Sequence, residues 1–240
     1  MGRVLIVTPT YNERENLPGF CDLVRASMPD AHVLVVDDAS PDGTGELADD
    51  LHRQHPDRVS VLHRGAKLGL GSAYLAAFRK ALSDGWDVVV QMDADLSHDP
   101  SAVPALLAAI EDGADVAVGS RYVRGGAIEG WGAGRHVISR GGSLYSRAIL
   151  ATGVHDMTSG FKAIRSEVLA SIALDSIRSE GYSFQIELTY RALRRGFRVV
   201  EVPIVFVDRR AGQSKLSGRV FAEAVGMPWK LRFDALRGRL

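Results

Sequence analysis

The chain has 240 residues, of which 46% are hydrophobic and 24% charged, and its 29 Lys and Arg residues balance its 29 Asp and Glu residues. This apolar content excludes a chain that is disordered throughout, and the length suits one globular domain with a sizeable core. Because Cys21 is the single cysteine, an internal disulfide is excluded and a reducing compartment is favoured.

The first 120 residues alternate short apolar runs with amphipathic stretches of helical spacing. Apolar runs that are separated by helices are typical of parallel strands buried on both faces of a sheet. We therefore predict an α/β fold with a mostly parallel sheet. The predicted strands are Val4–Val7, His32–Val36, Val59–Leu62, Val88–Met92 and Ala114–Val118. The predicted helices are Glu15–Ser27, Thr44–His55, Ser72–Leu82 and Pro100–Glu111.

The second half is less regular and begins with a segment rich in Gly and Arg over residues 125–142. After Ser217 the pattern predicts one or two amphipathic helices, interrupted at Gly226 and Pro228. We assign residues 1–217 to the globular domain and residues 218–240 to a basic helical tail. The other predicted elements are the helices Ser143–Ala151 and Phe184–Arg195 and the strands Phe161–Ile164 and Arg198–Val205.

The charge is unevenly distributed along the chain. From Arg209 to the end there are eight basic and two acidic residues, which gives +6 in that segment and −6 over the rest. This basic segment favours an anionic ligand or a membrane surface, and a solvated charged helix explains it equally well. No uncharged apolar stretch reaches about 18 residues, so we expect no transmembrane helix. The N-terminal sequence matches neither a signal peptide nor a myristoylation motif.

Polar clusters follow four of the five predicted strands of the first half. In an open α/β sheet, ligands bind beyond the carboxyl ends of the strands, so the four clusters predict one shared site. The clusters are Thr8–Glu13, Asp37–Gly43, Asp93–Asp95 and Gly119–Tyr122.

Asp93 and Asp95 form the most informative pair in these clusters. Carboxylates at positions i and i+2 of a strand end can project to the same side, where two like charges are costly unless a cation lies between them. Mg²⁺ or Mn²⁺ is typically held by one or two carboxylates together with substrate phosphate oxygens. The pair therefore predicts a clamp for a metal ion and a diphosphate.

Two other motifs have competing interpretations. Asp37 and Asp38 precede a sequence typical of a turn, and a carboxylate there also suits hydrogen bonding to a ribose or base. Gly69 and Gly71 suggest a dinucleotide-binding loop, but Tyr74 replaces the third glycine of that motif. We expect these glycines to permit only a tight turn.

Three cations are candidates for binding an anion: Arg121, Arg209 and Lys215. The last two lie with Arg210 in a polar loop that contains Gly212. Such a loop suits phosphate recognition, since Arg gives planar bidentate contacts and Lys a point charge.

Taken together, the motifs resemble those of the polyprenol (dolichol) phosphate mannosyltransferases, which belong to glycosyltransferase family 2 and have a GT-A fold. The resemblance extends from about Arg3 to Lys215. It is carried by PTYNERENL, VVDDASPDGT, MDADLSHDP, GSRYVRGG, SGFKAI and GQSKLS. It implies metal-dependent, inverting transfer of mannose from GDP-mannose to a polyprenyl phosphate lipid, with Mg²⁺ or Mn²⁺ as cofactor and no nucleic-acid partner.

The resemblance also implies roles for individual residues. Asp95 would be the principal metal ligand, with Ser97 as a weaker one where relatives have a glutamine. Asp93, Ala94 and Asp95 would bracket the diphosphate. The residues implied to hold the guanine nucleotide are Pro9, Tyr11, Glu13, Val36 and Asp38. The residues implied to contact phosphate are Arg121, Arg209 and Lys215.

The chemistry that the resemblance implies needs no general base. The second pKa of a phosphomonoester is about 6, so a lipid phosphate is largely ionised near neutral pH and can attack the anomeric carbon directly. It requires positioning, a metal on the leaving diphosphate, and cations that let two anionic groups approach. A single in-line displacement then inverts the configuration at the sugar.

Many members of this family carry transmembrane helices, so we expect this chain to reach its lipid in another way. We expect it in the cytoplasm, peripherally associated with the cytoplasmic face of a membrane. Either the segment Arg135–Ala151 or the tail would lie in the membrane interface, or a membrane-embedded partner subunit would recruit the chain. Packing of both segments on the sheet explains their apolar residues equally well.

Two alternative functions remain open at this point. One is a transferase of the same family that uses a UDP-sugar, such as UDP-glucose, on the same class of lipid. The other is a non-catalytic protein that binds sugar nucleotides or scaffolds a membrane, which the intact clusters on four strand ends disfavour. The incomplete glycine pattern disfavours a dehydrogenase.

Overall fold

A seven-stranded sheet forms the centre of the protein, and the computed structural model describes residues 2–208 and 218–240. The strands, in chain order, are β1 Val4–Thr10, β2 His32–Asp37, β3 Val59–His63, β4 Val88–Gln91, β5 Val116–Ser120, β6 Ala127–Glu129, β7 Lys162–Arg165, β8 Val199–Pro203 and β9 Val205–Val207. The central sheet has the spatial order β3-β2-β1-β4-β7-β5-β8, and β6 pairs with β9 in a separate small sheet.

Helices cover both faces of the central sheet. They are α1 Leu17–Ser27, α2 Thr44–Gln54, α3 Leu70–Ser83, α4 Val103–Glu111, α5 Ala133–Leu150, α6 Ser166–Ser171, α7 Gly181–Arg194 and α8 Gly218–Leu236. Short 3-10 helices occupy Pro100–Ala102 and Leu174–Ser176.

The sheet buries alternate residues of each strand on opposite faces. Ile6 and Val90 pack on one side with α1 and α4, whereas Leu5 and Val89 pack on the other side with α3 and α7. Because both faces are covered, β1 and β4 are buried at almost every position, as their apolar runs predicted. The predicted α/β fold of the first half is therefore confirmed, with strand and helix ends within a few residues of those expected.

One strand of the central sheet runs against the others. β7 lies antiparallel between β4 and β5, and its first residue, Lys162, pairs with Gln91 at the end of β4. The other neighbouring pairs in this sheet are parallel. The start of β7 therefore lies at the same edge as the carboxyl ends of β1, β2, β4 and β5.

Two predictions about helices in the second half were wrong. One concerned the residue at which α5 begins, and the other the interruptions expected in the tail. α5 begins at Ala133, ten residues before the predicted start, although Gly141 and Gly142 lie in its interior. Each interior glycine costs roughly 1 kcal/mol relative to alanine, and packing against α8 offsets that cost. One contact there is the hydrogen bond of 2.8 Å that the Tyr145 hydroxyl donates to the Val225 carbonyl.

The tail is one helix, which continues through both predicted interruptions. Pro228 lies inside α8 and is buried, and Leu231 is buried in a cluster with Leu150 and Ile186. This apolar packing compensates for the backbone hydrogen bond that a proline removes. Among the described residues, no helix combines the length and the apolar character needed to cross a bilayer. The boundary between domain and tail at residue 217 lies outside the described residues and stays a prediction.

Candidate functional site

The four polar clusters lie at one edge of the central sheet. Each lies at the carboxyl end of β1, β2, β4 or β5, and these strands all point to that edge. Three non-glycine residues in the loops of this edge have left-handed backbones: Asn12 (φ 61°), Ala39 (φ 59°) and Leu96 (φ 61°). Such conformations are uncommon in L-residues and persist where the surroundings over-determine them, which is typical of functional sites.

Asp37 builds the loops after β1 and β2. Its buried carboxylate accepts hydrogen bonds from the Thr10 hydroxyl (3.2 Å), the Ser40 hydroxyl (2.5 Å) and the Ser40 amide (3.1 Å). The Ser40 hydroxyl oxygen also accepts a hydrogen bond of 3.1 Å from the Asn12 amide. For Asp37 the turn interpretation is therefore correct, and the turn fixes the backbone at Asn12.

Asp38 ties the loop after β2 to the segment that leads into α3. One of its carboxylate oxygens accepts from the amides of Leu68 (2.9 Å) and Gly69 (3.0 Å), and the other lies 2.8 Å from the Arg64 guanidinium. Gly69, which directly precedes α3, has a positive φ of 102°, a backbone conformation that favours glycine.

The amino terminus of α3 is occupied by a carboxylate of the protein itself. Glu180 accepts hydrogen bonds from the amides of Gly71 (2.8 Å) and Ser72 (3.3 Å). A Cβ atom at Gly71 would lie 2.6 Å from the Ser179 carbonyl oxygen, so this close approach requires glycine. A dinucleotide-binding loop would place its ligand phosphate where Glu180 lies, which further disfavours a dehydrogenase.

The residues predicted to hold a nucleotide divide into two groups. Pro9, Tyr11 and Glu13 are partly exposed at the sheet edge, and the Lys67 ammonium lies 3.7 Å from the centre of the Tyr11 ring. The side chain of Val36, by contrast, is buried in the core beneath α3, so only its backbone can face a ligand.

Asp93 and Asp95 follow the end of β4, and their side chains have different surroundings. The hydroxyl of Tyr74, which is fully buried, donates a hydrogen bond of 3.3 Å to Asp93. Burial and the neighbouring Asp93 raise the pKa of Tyr74 well above its usual value, so the phenol keeps its proton and remains a donor. Asp95 is buried and accepts from both the amide (3.1 Å) and the hydroxyl (2.6 Å) of Ser97. Ala94 between them is buried in the core.

The donor atoms at this strand end fit Mg²⁺ or Mn²⁺. Asp93 and Asp95 supply carboxylate oxygens, and the Ser97 hydroxyl, which donates to Asp95, keeps oxygen lone pairs for a cation. Within residues 2–208 and 218–240 no three His, Cys, Asp or Glu side chains form a ready metal cage. Two carboxylates and a hydroxyl suit an ion that takes its other ligands from a diphosphate and water.

Arg121 lies at the end of β5 in a buried ion pair. Its Nε and Nη2 each lie 2.7 Å from an oxygen of Asp156, and Nη2 also donates to the Thr158 hydroxyl (2.8 Å). Burial alone would lower the pKa of Arg121, but hydrogen bonding and charge pairing with Asp156 raise it. Within the described residues, the hydrogen bonds of the guanidinium come from Nε and Nη2, and Nη1 donates none. Asp156 and Thr158 were not predicted, because the sequence carries no signal for them beyond the adjacent SGFKAI motif.

A second cation, Arg135, was predicted only as part of an amphipathic segment. Its guanidinium lies 4.0 Å from the centre of the Trp131 ring and 2.6 Å from Asp208. The Arg121 guanidinium lies 5.7 Å from the same ring. Both arginines therefore flank one indole. Arg209 and Lys215 lie outside the described residues.

A largely apolar cavity of about 400 Å³ adjoins Arg121. It is bounded by α5, α7, α8 and the Trp131 loop, and Thr158 lines it, so the partner of Arg121 forms part of its wall. Several apolar side chains of α5 and α8 in and around this cavity are exposed to solvent. They are Val137, Ile138, Leu144, Val225, Trp229, Phe233 and Leu236.

The chain is similar to two known proteins over nearly its whole length. The chain is 52% identical over 238 residues to the polyprenol monophosphomannose synthase of Mycolicibacterium smegmatis, covering 99% of this chain and 89% of the relative. It is 50% identical over 242 residues to the undecaprenyl-phosphate mannosyltransferase of Micrococcus luteus, covering 99% of both.

Among solved structures, glucosyl-3-phosphoglycerate synthase from Mycobacterium tuberculosis has a similar fold. Its complex with Mn²⁺, UDP-glucose and phosphoglyceric acid matches with a TM-score of 0.71 at 20% identity, covering 97% of this chain and 80% of that one. Its complex with UDP matches with a TM-score of 0.69 over the same shares. The predicted GT-A fold is thereby confirmed. Residues 5–173 match the family described as Glycosyl transferase family 2, and the chain belongs to that family.

Proposed function

We propose that this enzyme transfers mannose from GDP-mannose to the phosphate of a polyprenyl lipid, with inversion at the sugar. The observation that carries the proposal is that one edge of the sheet combines the Asp93–Asp95 strand end with Arg121, beside an apolar cavity. The first suits a metal and a diphosphate, the second a phosphate, and the third a lipid chain. The names of the two relatives at 50% identity or above support the same acceptor and sugar.

On the donor side, Asp93, Asp95 and Ser97 would hold Mg²⁺ or Mn²⁺ against the diphosphate. When bound, such an ion neutralises the negative charge that develops on the leaving diphosphate. The nucleotide would lie against Pro9, Tyr11, Glu13, Asp38 and the backbone of Val36. Because Asp38 holds the segment before α3 and Asp37 holds the loops after β1 and β2, this surface is ordered before the ligand arrives.

On the acceptor side, Arg121 would bind the lipid phosphate through Nη1 while Asp156 holds its other two nitrogens. Arg209 and Lys215 would supply further cations, as the motif GQSKLS implies. The phosphate is ionised at neutral pH and attacks without a general base. The enzyme therefore contributes position and electrostatic stabilisation, and the apolar cavity would receive the first isoprene units.

The exposed apolar residues of α5 and α8 would dock the enzyme on the membrane that holds this lipid. Trp229 and Phe233 stack with ring centres 6.3 Å apart, and about half of each side chain is exposed. Arg140 lies on α5 and Lys230 on α8, Arg237 directly follows α8, and all three are exposed. An apolar face with surrounding basic residues suits the anionic cytoplasmic leaflet, so we place the enzyme peripherally on that face.

The proposal is tested with purified enzyme, labelled GDP-mannose, polyprenyl phosphate in detergent, and Mg²⁺ or Mn²⁺. We expect label in the organic phase that is lost on adding a chelator, and stronger competition by GDP than by UDP. If product formed from UDP-glucose but not from GDP-mannose, the donor in this proposal would have to be UDP-glucose instead. A chain that binds nucleotide but forms no lipid product from any common donor would be a binding protein instead.

A further inference from the structure

Lys162 is a buried basic residue that the proposed mechanism does not use. Its side chain is fully buried at the start of β7, between the Asp93 and Arg121 strand ends. Nζ donates to the Ser159 carbonyl (2.6 Å), the Gln185 side-chain oxygen (2.5 Å) and, more weakly, the Gln185 carbonyl (3.4 Å). Within the part of the chain that the structure describes, it contacts no carboxylate. Burying a lysine in this way is costly, so its retention calls for a specific role.

The position of Lys162 links it to both sides of the acceptor site. Ser159 belongs to the turn that carries Asp156 and Thr158, the two partners of Arg121. The Ser159 hydroxyl donates a hydrogen bond of 2.6 Å to the carbonyl of Gly119, which lies two residues before Arg121. The hydroxyl of Ser159 therefore binds the turn to β5, and the carbonyl of Ser159 binds the turn to Lys162.

The second partner of Lys162 lies on a helix that lines the apolar cavity. Gln185 lies on α7, where the next residue, Ile186, lines the cavity, as does Tyr182 one turn earlier. The hydrogen bonds of one ammonium group thus join the turn that holds Arg121 to the helix that lines the cavity. A charged lysine has three N–H donors and a neutral one has two, so the two short hydrogen bonds do not depend on its protonation.

We propose that Lys162 is a positioning residue for the acceptor phosphate: it fixes the turn at Asp156–Gly160 against α7, and that turn fixes Arg121. This inference rests on the proposed function for its kinetic consequence. Displacing a binding group by about 1 Å can reduce a rate by up to roughly 10²-fold. Removing Lys162 should therefore weaken acceptor use and spare the donor side, whose residues lie on β1, β2 and β4.

The test compares Lys162→Met with Lys80→Met, which removes the same charge from a half-exposed lysine on α3. We expect Lys162→Met to raise the KM for polyprenyl phosphate about tenfold or more, with the KM for GDP-mannose within about twofold of the wild type. Lys80→Met should change neither. Equal increases in both KM values, or no increase in a folded Lys162→Met protein, would overturn the proposal.

A second measurement does not depend on turnover, and it does not use Lys162→Met, the variant with the greatest risk of misfolding. Gln185→Leu removes one partner of Lys162 and leaves the bond to Ser159 in place. We expect the ¹⁵N resonance of Arg121 Nε, assigned by its loss in Arg121→Lys, to shift or broaden in this variant. An unchanged resonance would overturn the positioning role. If the wild type made no lipid product, the proposed function would fail, and this signal would still decide the role of Lys162.

Discussion

Asp156 holds the guanidinium of Arg121 through two hydrogen bonds of 2.7 Å, and the pair is almost completely removed from solvent. Asp156 is itself held by Glu201, which accepts its amide proton at 2.9 Å. The arginine therefore cannot rotate away to follow a ligand. An anion that approaches this edge meets a cation whose direction is set in advance, which reduces the entropy lost on binding.

The first prediction concerns this pair. We expect Asp156→Ala to lower the free energy of unfolding by about 3–5 kcal/mol, because it leaves a buried guanidinium without its counter-ion. The double variant Asp156→Leu with Arg121→Met should regain much of that stability and still lack activity. Urea denaturation and the lipid-product assay check the two parts. A stable, fully active double variant would contradict the role of Arg121.

The second prediction concerns the metal clamp. Asp95→Asn should reduce turnover at least 10²-fold and raise the Mn²⁺ concentration needed for half-maximal rate, since it removes a charged ligand. Asp99→Asn is the matched control, because Asp99 lies four residues away, is exposed, and caps only a short 3-10 helix through Ser101. Initial rates over a Mn²⁺ titration measure both. Equal curves for the two variants would contradict the clamp.

The third prediction concerns the membrane face. Phe233→Ser should weaken sedimentation with vesicles that contain anionic lipid by about tenfold, because an inserted aromatic side chain is worth roughly 1.5–3 kcal/mol. Leu23→Ser on α1 serves as the control, since Leu23 is similarly exposed but lies on the helix that packs with α4 against the other face of the sheet. If both variants bound vesicles as the wild type does, α8 would not be the docking helix.

The fourth prediction follows from the pKa of Lys162. Burial lowers that pKa from 10.5 to about 7. Between pH 7 and pH 10.5, Lys162 is therefore protonated in the unfolded chain and neutral in the folded protein. The contribution of Lys162 to the free energy of unfolding therefore rises with pH over this window and is smallest below about pH 7. The difference in stability between wild type and Lys162→Met, measured by urea denaturation from pH 6 to pH 10, should show this slope. A difference that is constant with pH would contradict it.

The sequence predicted the first half of the fold closely because its apolar runs and helical periods are long and unbroken. The orientation of β7 could not be predicted, since a four-residue strand carries no signal for its direction. The start of α5 was missed because Gly141 and Gly142 resemble a loop until the packing against α8 is known.

The sequence predicted which polar clusters share one edge of the sheet, but it did not predict the residues that hold those clusters in place. Asp93, Asp95 and Arg121 follow apolar strands, so their place at one edge could be inferred from the chain alone. Asp156 and Glu180 could not, because the groups that they bind lie 35 and 109 residues away. Pairings of this kind depend on the order of strands and helices in space, which a single sequence with this pattern leaves open.

The antiparallel strand β7 has a consequence for how this enzyme could diversify. It lies between β3-β2-β1-β4, whose loops face the proposed donor, and β5-β8, whose loops face the proposed acceptor. Insertions in either group leave the strand pairing of the other group unchanged. Donor and acceptor preferences can therefore change by separate mutations, each screened without disturbing the other. Chimeras of relatives that exchange the chain from about β5 onward would inherit one preference from each parent.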